Sequence, residues 1–297
     1  MAEPDFTAVA LLEHLKLAPT GAPWQLVSVA GAHSNRVWRA SAPGARDCIV
    51  KHHQADAVRN PLFGNDADIE RAAAAATPTS LAPGLLGAWG DWSVWPCVPG
   101  GRFHAPERAA QQLRAVHALT PWTGLSVVAG TPREWVDQGL DMLARAGADN
   151  AAVNTLRASA PEVGAGPHAC TVVHRDPHPG NWVGGDAAVL VDWQCVALGN
   201  PHEDLACYLS RGMRLAYGVA PAPLWEAARF LAAAGVTLDA TWIDTQAAYD
   251  FRFACYCAWR EQTVPGTGHY AAALADYVSR AVPVSNPSIE RPLRSRQ

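Results

Sequence analysis

Residues 172–182 read VVHRDPHPGNW, a short stretch that crowds His174, Arg175, Asp176, His178 and Asn181 around Pro177, Pro179 and Gly180. The prolines and the glycine keep it from forming a regular helix, so a tight loop results. Such a loop can direct the Asp176 and Asn181 side chains the same way. Further along, the apolar run AAVLV at 187–191 ends at Asp192, and a strand ending there places a second carboxylate beside the loop. Two carboxylates and an amide oxygen make a hard, all-oxygen donor set, the kind Mg²⁺ takes together with phosphate oxygens and water. Zinc would instead draw on His174, Asp176 and His178, with His202 later in the chain. That reading ranks low, because the prolines would have to aim alternate side chains inward and Asn181 and Asp192 would have no role. A plain polar turn explains each residue singly but not the set.

Outward from this loop the chain divides. Residues 24–30, 35–40, 48–53, 85–90 and 92–98 are short, β-branched or aromatic, and separated by Gly, Pro, Ser or Asn, which predicts an antiparallel meander. One helix, at 66–76, interrupts them with its run of alanines and packs on the sheet. The PGG at 99–101 breaks the chain, and long helical patterns follow at 106–119, 131–147, 202–218, 223–235 and 242–262. The expected fold class is α+β, with an N-terminal lobe over 1–98 and a larger, mainly helical lobe over 99–297. Within the second lobe only residues 170–176 and 187–193 look strand-like, and they would form a hairpin-like platform around the loop.

Composition excludes several classes. Of 297 residues 17% are charged, and no apolar run approaches the ~20 residues of a membrane span. The start MAEPDFTAVALLEHLKL is acidic and amphipathic, with no basic stretch followed by an apolar core, so no signal peptide is read and a cytoplasmic protein is expected. Seven scattered cysteines make a poor disulfide framework and read as reduced, packed thiols. A net charge of −4 provides no basic field for a nucleic acid.

The motifs together resemble a known family. HRDPHPGNW, then VLVDWQ, then GNPHEDLA, in that order, are similar to the aminoglycoside phosphotransferase and choline kinase family, kin of the protein-kinase fold. The resemblance extends upstream, where CIVKHH puts Lys51 on the third strand, the next helix offers Glu70, and VAGAHSNRVWRA sits where the family has its phosphate-covering turn. It implies a two-lobed protein-kinase-like fold and an ATP- and Mg²⁺-dependent phosphotransferase acting on a hydroxyl of a small molecule. By resemblance, Asp176 accepts a hydrogen bond from the acceptor hydroxyl and takes its proton, and His174 positions the loop. Asn181 and Asp192 hold Mg²⁺, Lys51 contacts the α- and β-phosphates, and Glu70 fixes Lys51, with Asp68 a weaker candidate for that pairing. Backbone amides around His33 to Asn35, with the Ser34 hydroxyl, cover the phosphates, since Gly31 stands there without a full glycine-rich signature. Asp204 is read as structural, capping the following helix or bracing the loop.

One departure is Arg175, which stands where the family usually has Gly; its cation either pairs with a nearby carboxylate or faces solvent. A protein kinase would need an activation segment, for which Asp192 and Asp204 leave no room. A catalytically silent scaffold on the same fold would commonly have lost Lys51, Asp176, Asn181 or Asp192, and all four are here. For the acceptor, Trp225, Phe230, Trp242, Tyr249, Phe251, Phe253, Tyr256 and Trp259 could cage an amine, although aromatics at helical spacing are more often core. Asp239, Asp244, Asp250 and Glu261 could serve an aminoglycoside, although scattered acids usually face solvent.

Overall fold

The computed structural model of the chain describes residues 6–29, 35–54, 60–64, 66–100, 105–147, 150–164, 169–185, 188–263 and 268–281. Strands β1 (Gln25–Ser28), β2 (Asn35–Ser41), β3 (Cys48–His53), β4 (Gly87–Trp89) and β5 (Trp92–Pro96) form one antiparallel sheet. The sheet is the expected one, but its order β1-β2-β3-β5-β4 is not a plain meander. The β4–β5 hairpin turns at Gly90, whose φ of 55° suits glycine, and β5 enters between β3 and β4. Burial explains the choice: Trp92, Ser93 and Val94 of β5 are buried, whereas Trp89 of β4 is 65% exposed and belongs at an edge.

Strand alternation gives the sheet two working faces. Cys48 and Val50 of β3 join Ala40, Trp92 and Val94 in a small core that also takes Ala8, Leu11 and Leu12 of α1 (Phe6–His14). This helix is an addition to the single packed helix expected, built from the amphipathic start. Ile49 and Lys51 face the other way, where α2 (Ala67–Ala76) lies. Asp66 caps α2 by accepting from the Asp68 and Ile69 amides, and the helix stops at Thr77, before Pro78.

The rest is mainly helical: α3 (Pro106–His117), α4 (Pro132–Ala146), α5 (Ala151–Ala158), α6 (Pro201–Leu209), α7 (Arg211–Ala216), α8 (Leu224–Ala234), α9 (Ala240–Thr263) and α10 (His269–Ala281). Thr131 and Glu134 form a reciprocal capping box at the start of α4. Gly139 lets α4 approach α9 closely, since a Cβ there would sit 2.9 Å from Phe251. The single helix expected over 202–218 is two, because Ser210 leaves helical geometry and its hydroxyl accepts from the Met213 amide to cap α7. Helix α9 runs through the large core and is buried on nearly all sides from Tyr249 to Arg260. Among the described residues no helix is long and apolar enough to cross a membrane.

The strand platform also differs from expectation. The pieces that flank the loop do not pair with each other: β6 (Thr171–Val173) pairs with β9 (Ala197–Gly199), and β7 (Trp182–Val183) pairs with β8 (Val189–Leu190). Asp192 adopts left-handed geometry and a 3-10 turn, Trp193–Cys195, follows, sending the chain back past β6. A sequence-local pairing is thereby replaced by one that frames the loop on both sides.

Candidate active site

The 174–181 loop is held from below by one carboxylate. Asp204, fully buried near the start of α6, accepts from the His174 amide at 2.9 Å and the Arg175 amide at 2.6 Å, and lies 2.9 Å from His117 Nε2. It therefore braces the loop; α6 itself is capped by Asn200, whose side chain accepts from the His202 amide. Arg175 sits at φ 72°, a left-handed conformation in which the two successive amides reach the same carboxylate. Its side chain turns inward: Nη2 donates to the Leu62 carbonyl at 2.8 Å, and Nε lies 3.5 Å from Glu203 Oε1. Glu203 also accepts from Arg252 at 2.7 Å. Of the two alternatives, Arg175 takes the carboxylate.

His174 is fully buried between fixed partners. The Val191 carbonyl can only accept, so Nε2 at 3.1 Å carries the proton, and Nδ1 accepts from the Asp176 amide at 3.3 Å. Burial lowers its pKa, consistent with that neutral tautomer. His178 accepts from the Gly180 amide at 3.0 Å and stacks on Tyr217 with ring centroids 3.6 Å apart. Both histidines thus shape the loop.

Above the loop the functional candidates converge. Asn181 Nδ2 donates to the Asp176 carbonyl at 2.8 Å and to its Oδ2 at 3.2 Å. The Val191 amide donates to the Asn181 carbonyl at 2.9 Å, which sets Asp192 beside the pair. Lys51 Nζ donates to Glu70 Oε1 at 2.9 Å and to Asp192 Oδ1, joining β3, α2 and the end of β8. Asp68 points away, with 92% of its side chain exposed and Arg71 as its partner. His53, on the same strand face as Lys51, lies 2.9 Å from the second oxygen of Glu70.

The electrostatics follow from burial and charge. Burial alone would lower the Lys51 ammonium, but the Asp192 and Glu70 carboxylates raise it above its ordinary value. Burial raises the Asp192 carboxyl, yet Lys51 outweighs it and the net shift is downward. Among the described residues Asp176 has no such cation in contact; burial and the neighbouring Asp192 charge push it well above the carboxylate range.

These residues open onto a cleft of about 520 Å³, the size of a small-molecule site. Its lining includes the apolar residues Val37, Ile49, Pro83, Pro96, Val98 and Val183. It also includes the ring side chains of Phe63, His178, Tyr217, Tyr256 and Tyr270. Asn35 also lines it, but its carboxamide is engaged, donating to Gln194 at 2.6 Å and accepting from the Gln54 amide at 3.1 Å. Gly31, His33 and Ser34 lie outside the described residues. Of the eight aromatics considered for a cage, Tyr256 alone is among the described lining residues; Trp225 is 58% exposed and the others are core. None of Asp239, Asp244, Asp250 and Glu261 is among them. Sequence reasoning missed Phe63, Tyr217, Tyr270 and the Asn35–Gln194 bond. Tyr217 lies within the helical pattern over 202–218, but nothing local marks Phe63 or Tyr270.

The sheet with its helix over one end of the cleft and the helical body beneath it define the two-lobed, kinase-like α+β class. The profile of the phosphotransferase enzyme family matches residues 25–250, and the chain belongs to that family. Among solved structures it is similar to macrolide 2'-phosphotransferase MphH from Brachybacterium faecium, at 19% identity and a TM-score of 0.60, covering 96% of this chain and 99% of that one. Choline kinase LicA from Streptococcus pneumoniae matches at 13% identity and a TM-score of 0.65, with 92% and 96% covered. Spectinomycin phosphotransferase, in complex with ADP and spectinomycin, matches at 13% identity and a TM-score of 0.58, with 92% and 94% covered. No curated protein matches the sequence at a significant level.

Proposed function

We propose that the protein transfers the γ-phosphoryl group of ATP to a hydroxyl of a small molecule. The observation that carries this reading is the convergence of Lys51, Glu70, Asp176, Asn181 and Asp192 on one cleft from four separate segments. The nucleotide would lie between an N-terminal lobe, 1–98, and a C-terminal lobe, 99–297, with its base against apolar lining residues such as Val37 and Ile49 and its phosphates at Lys51. Membership of the phosphotransferase family and the ADP bound in the spectinomycin enzyme support that placement.

The residues present fit Mg²⁺. Among the described residues Asp176 Oδ1 is buried with no hydrogen-bond partner, Asp192 lies at the cleft, and Asn181 directs its nitrogen at Asp176, leaving its carboxamide oxygen for a cation. Asn181 and Asp192 would hold the ion, which when bound supplies charge neutralisation at the β- and γ-phosphate oxygens.

The remaining work falls to this chain's own groups. Lys51, held by Glu70, grips the α- and β-phosphates. The acceptor hydroxyl donates to Asp176, and its proton passes to that carboxylate as the new O–P bond forms and the bond from the γ-phosphorus to the β,γ-bridging oxygen breaks, with ADP as the leaving group. A carboxyl already pushed upward by burial is the better proton acceptor. His174 and Asp204 act through the loop, keeping the Asp176 backbone in place.

The test is ATP consumption in the presence of Mg²⁺ across amino alcohols, aminoglycosides, sugars, hydroxy acids and vitamin alcohols, with Asp176→Asn as the blank. Turnover above the blank on at least one acceptor is expected. ATP binding with no turnover on any of them would point instead to a silent nucleotide-binding protein.

A further inference from the structure

Two aromatic rings of the cleft are anchored to the residues on either side of Asp176. Phe63 follows Leu62, whose carbonyl accepts from Arg175, the residue before Asp176, at 2.8 Å. Tyr217 stacks on His178, two residues after Asp176, with ring centroids 3.6 Å apart and planes 16° from parallel. Both rings line the cleft and both are half-buried, so each keeps apolar surface open beside the Asp176 carboxylate.

Both rings are held in place from behind. The Asn60 side chain accepts from the Leu62 and Phe63 amides at 3.0 and 2.9 Å and donates to the Tyr256 hydroxyl at 2.9 Å. Phe63 in turn stands edge-on to the buried Tyr256 ring, with centroids 5.1 Å apart. Tyr217 closes the end of α7, and the His178 ring behind it accepts from the Gly180 amide. Rings fixed in this way offer a preformed apolar surface at little cost in conformational entropy.

The negative charge around them is already committed. The acidic side chains among the described lining residues are Glu70, Asp176 and Asp192, and Lys51 pairs with the first and the last. That leaves Asp176, and a fixed cation beside it would stabilise its ionised form and weaken it as a proton acceptor. The cleft of about 520 Å³ also has to take the nucleotide, which suits a compact acceptor rather than a macrocycle.

We propose that the acceptor is a compact, uncharged alcohol with a flat aromatic ring, the ring lying against Phe63 and Tyr217 and the hydroxyl reaching Asp176. The placement of the hydroxyl rests on the phosphotransferase reading above; the ring contact does not. The transfer is the one already described, in which the acceptor oxygen bonds to the γ-phosphorus as ADP leaves and its proton passes to Asp176.

The experiment compares phenethyl alcohol, cinnamyl alcohol and tryptophol with cyclohexylethanol, which has the size without the flat ring. Choline is set beside neohexyl alcohol, its uncharged isostere, and an aminoglycoside and glycerol complete the panel. Binding is read by titration calorimetry without nucleotide, and turnover by ADP release with MgATP. Wild type should favour an aryl alcohol over cyclohexylethanol and glycerol, and neohexyl alcohol over choline. Phe63→Leu and Tyr217→Leu, which keep apolar bulk, should each raise KM for the aryl alcohol about threefold to tenfold, with the KM for ATP near the wild-type value as the sign that they are folded. Tyr217→Phe, which keeps the ring, should bind the aryl alcohol as wild type does. A preference for choline or the aminoglycoside, an equal response to aryl and cyclohexyl alcohols, no response to any aryl alcohol, or a loss that falls on the KM for ATP instead would each overturn the inference. Calorimetric binding of an aryl alcohol that both leucine variants weaken, without turnover on any acceptor, would uphold it and sink the phosphotransferase reading instead.

Discussion

Arg175 Nη2 donates to the Leu62 carbonyl oxygen at 2.8 Å, joining the loop that carries Asp176 to the segment leading into α2. With Nε near Glu203, the same guanidinium reaches both the sheet side and the helical side of the cleft. The residue that departs from the family pattern is thus a strut between the two sides, and its left-handed backbone is the conformation glycine adopts most readily.

Replacing it separates those two contributions. Arg175→Ala leaves the Leu62 carbonyl unpaired and removes one of the two cations on Glu203, which should cost about 2–3 kcal/mol. Arg175→Gly loses the same contacts but relieves the positive φ, so it should be less destabilised by about 1 kcal/mol. Urea unfolding of the two variants beside wild type measures both. An alanine variant as stable as the glycine variant would refute the strain argument.

Asp176 sits where burial and the Asp192 charge both oppose its ionised form. The penalty on its ionised form is present above its raised pKa and relieved below it, so replacing the carboxylate should help stability at high pH. Asp176→Asn should melt at or above wild type near pH 8 and lose that advantage as pH falls, while turnover drops by about 10²–10⁴. A variant that melts well below wild type at pH 8 would contradict the electrostatic account.

Asp204 satisfies two buried backbone amides that have no other acceptor in the loop. Asp204→Ala should cost about 3 kcal/mol or more, since each abandoned amide carries a penalty of about 1–3 kcal/mol. Asp204→Asn, keeping one oxygen, should fall between. Because the brace sets the position of Asp176, kcat should fall more than the KM for ATP rises in the asparagine variant. A change confined to KM would place Asp204 outside the chain of support.

Asp250 offers a pH test away from the cleft. Burial raises its carboxyl to about 6 despite the bond from Ser210 Oγ at 2.6 Å. The cost of its charge is full above about pH 6 and fades as pH falls through that value toward the ordinary carboxylate range. Asp250→Asn keeps an acceptor for Ser210 and should be more stable than wild type by about 1–2 kcal/mol at pH 8, with the gap closing by about pH 4. Thermal melts across that range measure it, and a gap independent of pH would count against the shift.

What the sequence determined by itself was written in short-range chemistry. Alternation along CIVKHH put Lys51 on one face of β3, and the alanine helix behind Asp66 put Glu70 within reach of it. Two prolines and a glycine closed the loop that sets Asn181 against Asp176, and the end of an apolar run delivered Asp192. Each of these depends on the backbone preferences of a few adjacent residues. The tertiary structure alone decided that β6 pairs with β9 rather than with β8, that Asn35 meets Gln194, and that Arg175 takes Glu203 and Leu62 as partners. It alone assembled the aromatic wall from Phe63, Tyr217, Tyr256 and Tyr270. Those partners come from elements far apart in the chain, brought together by how helices pack around α9, and packing over such distances leaves no periodicity in the sequence from which to read them.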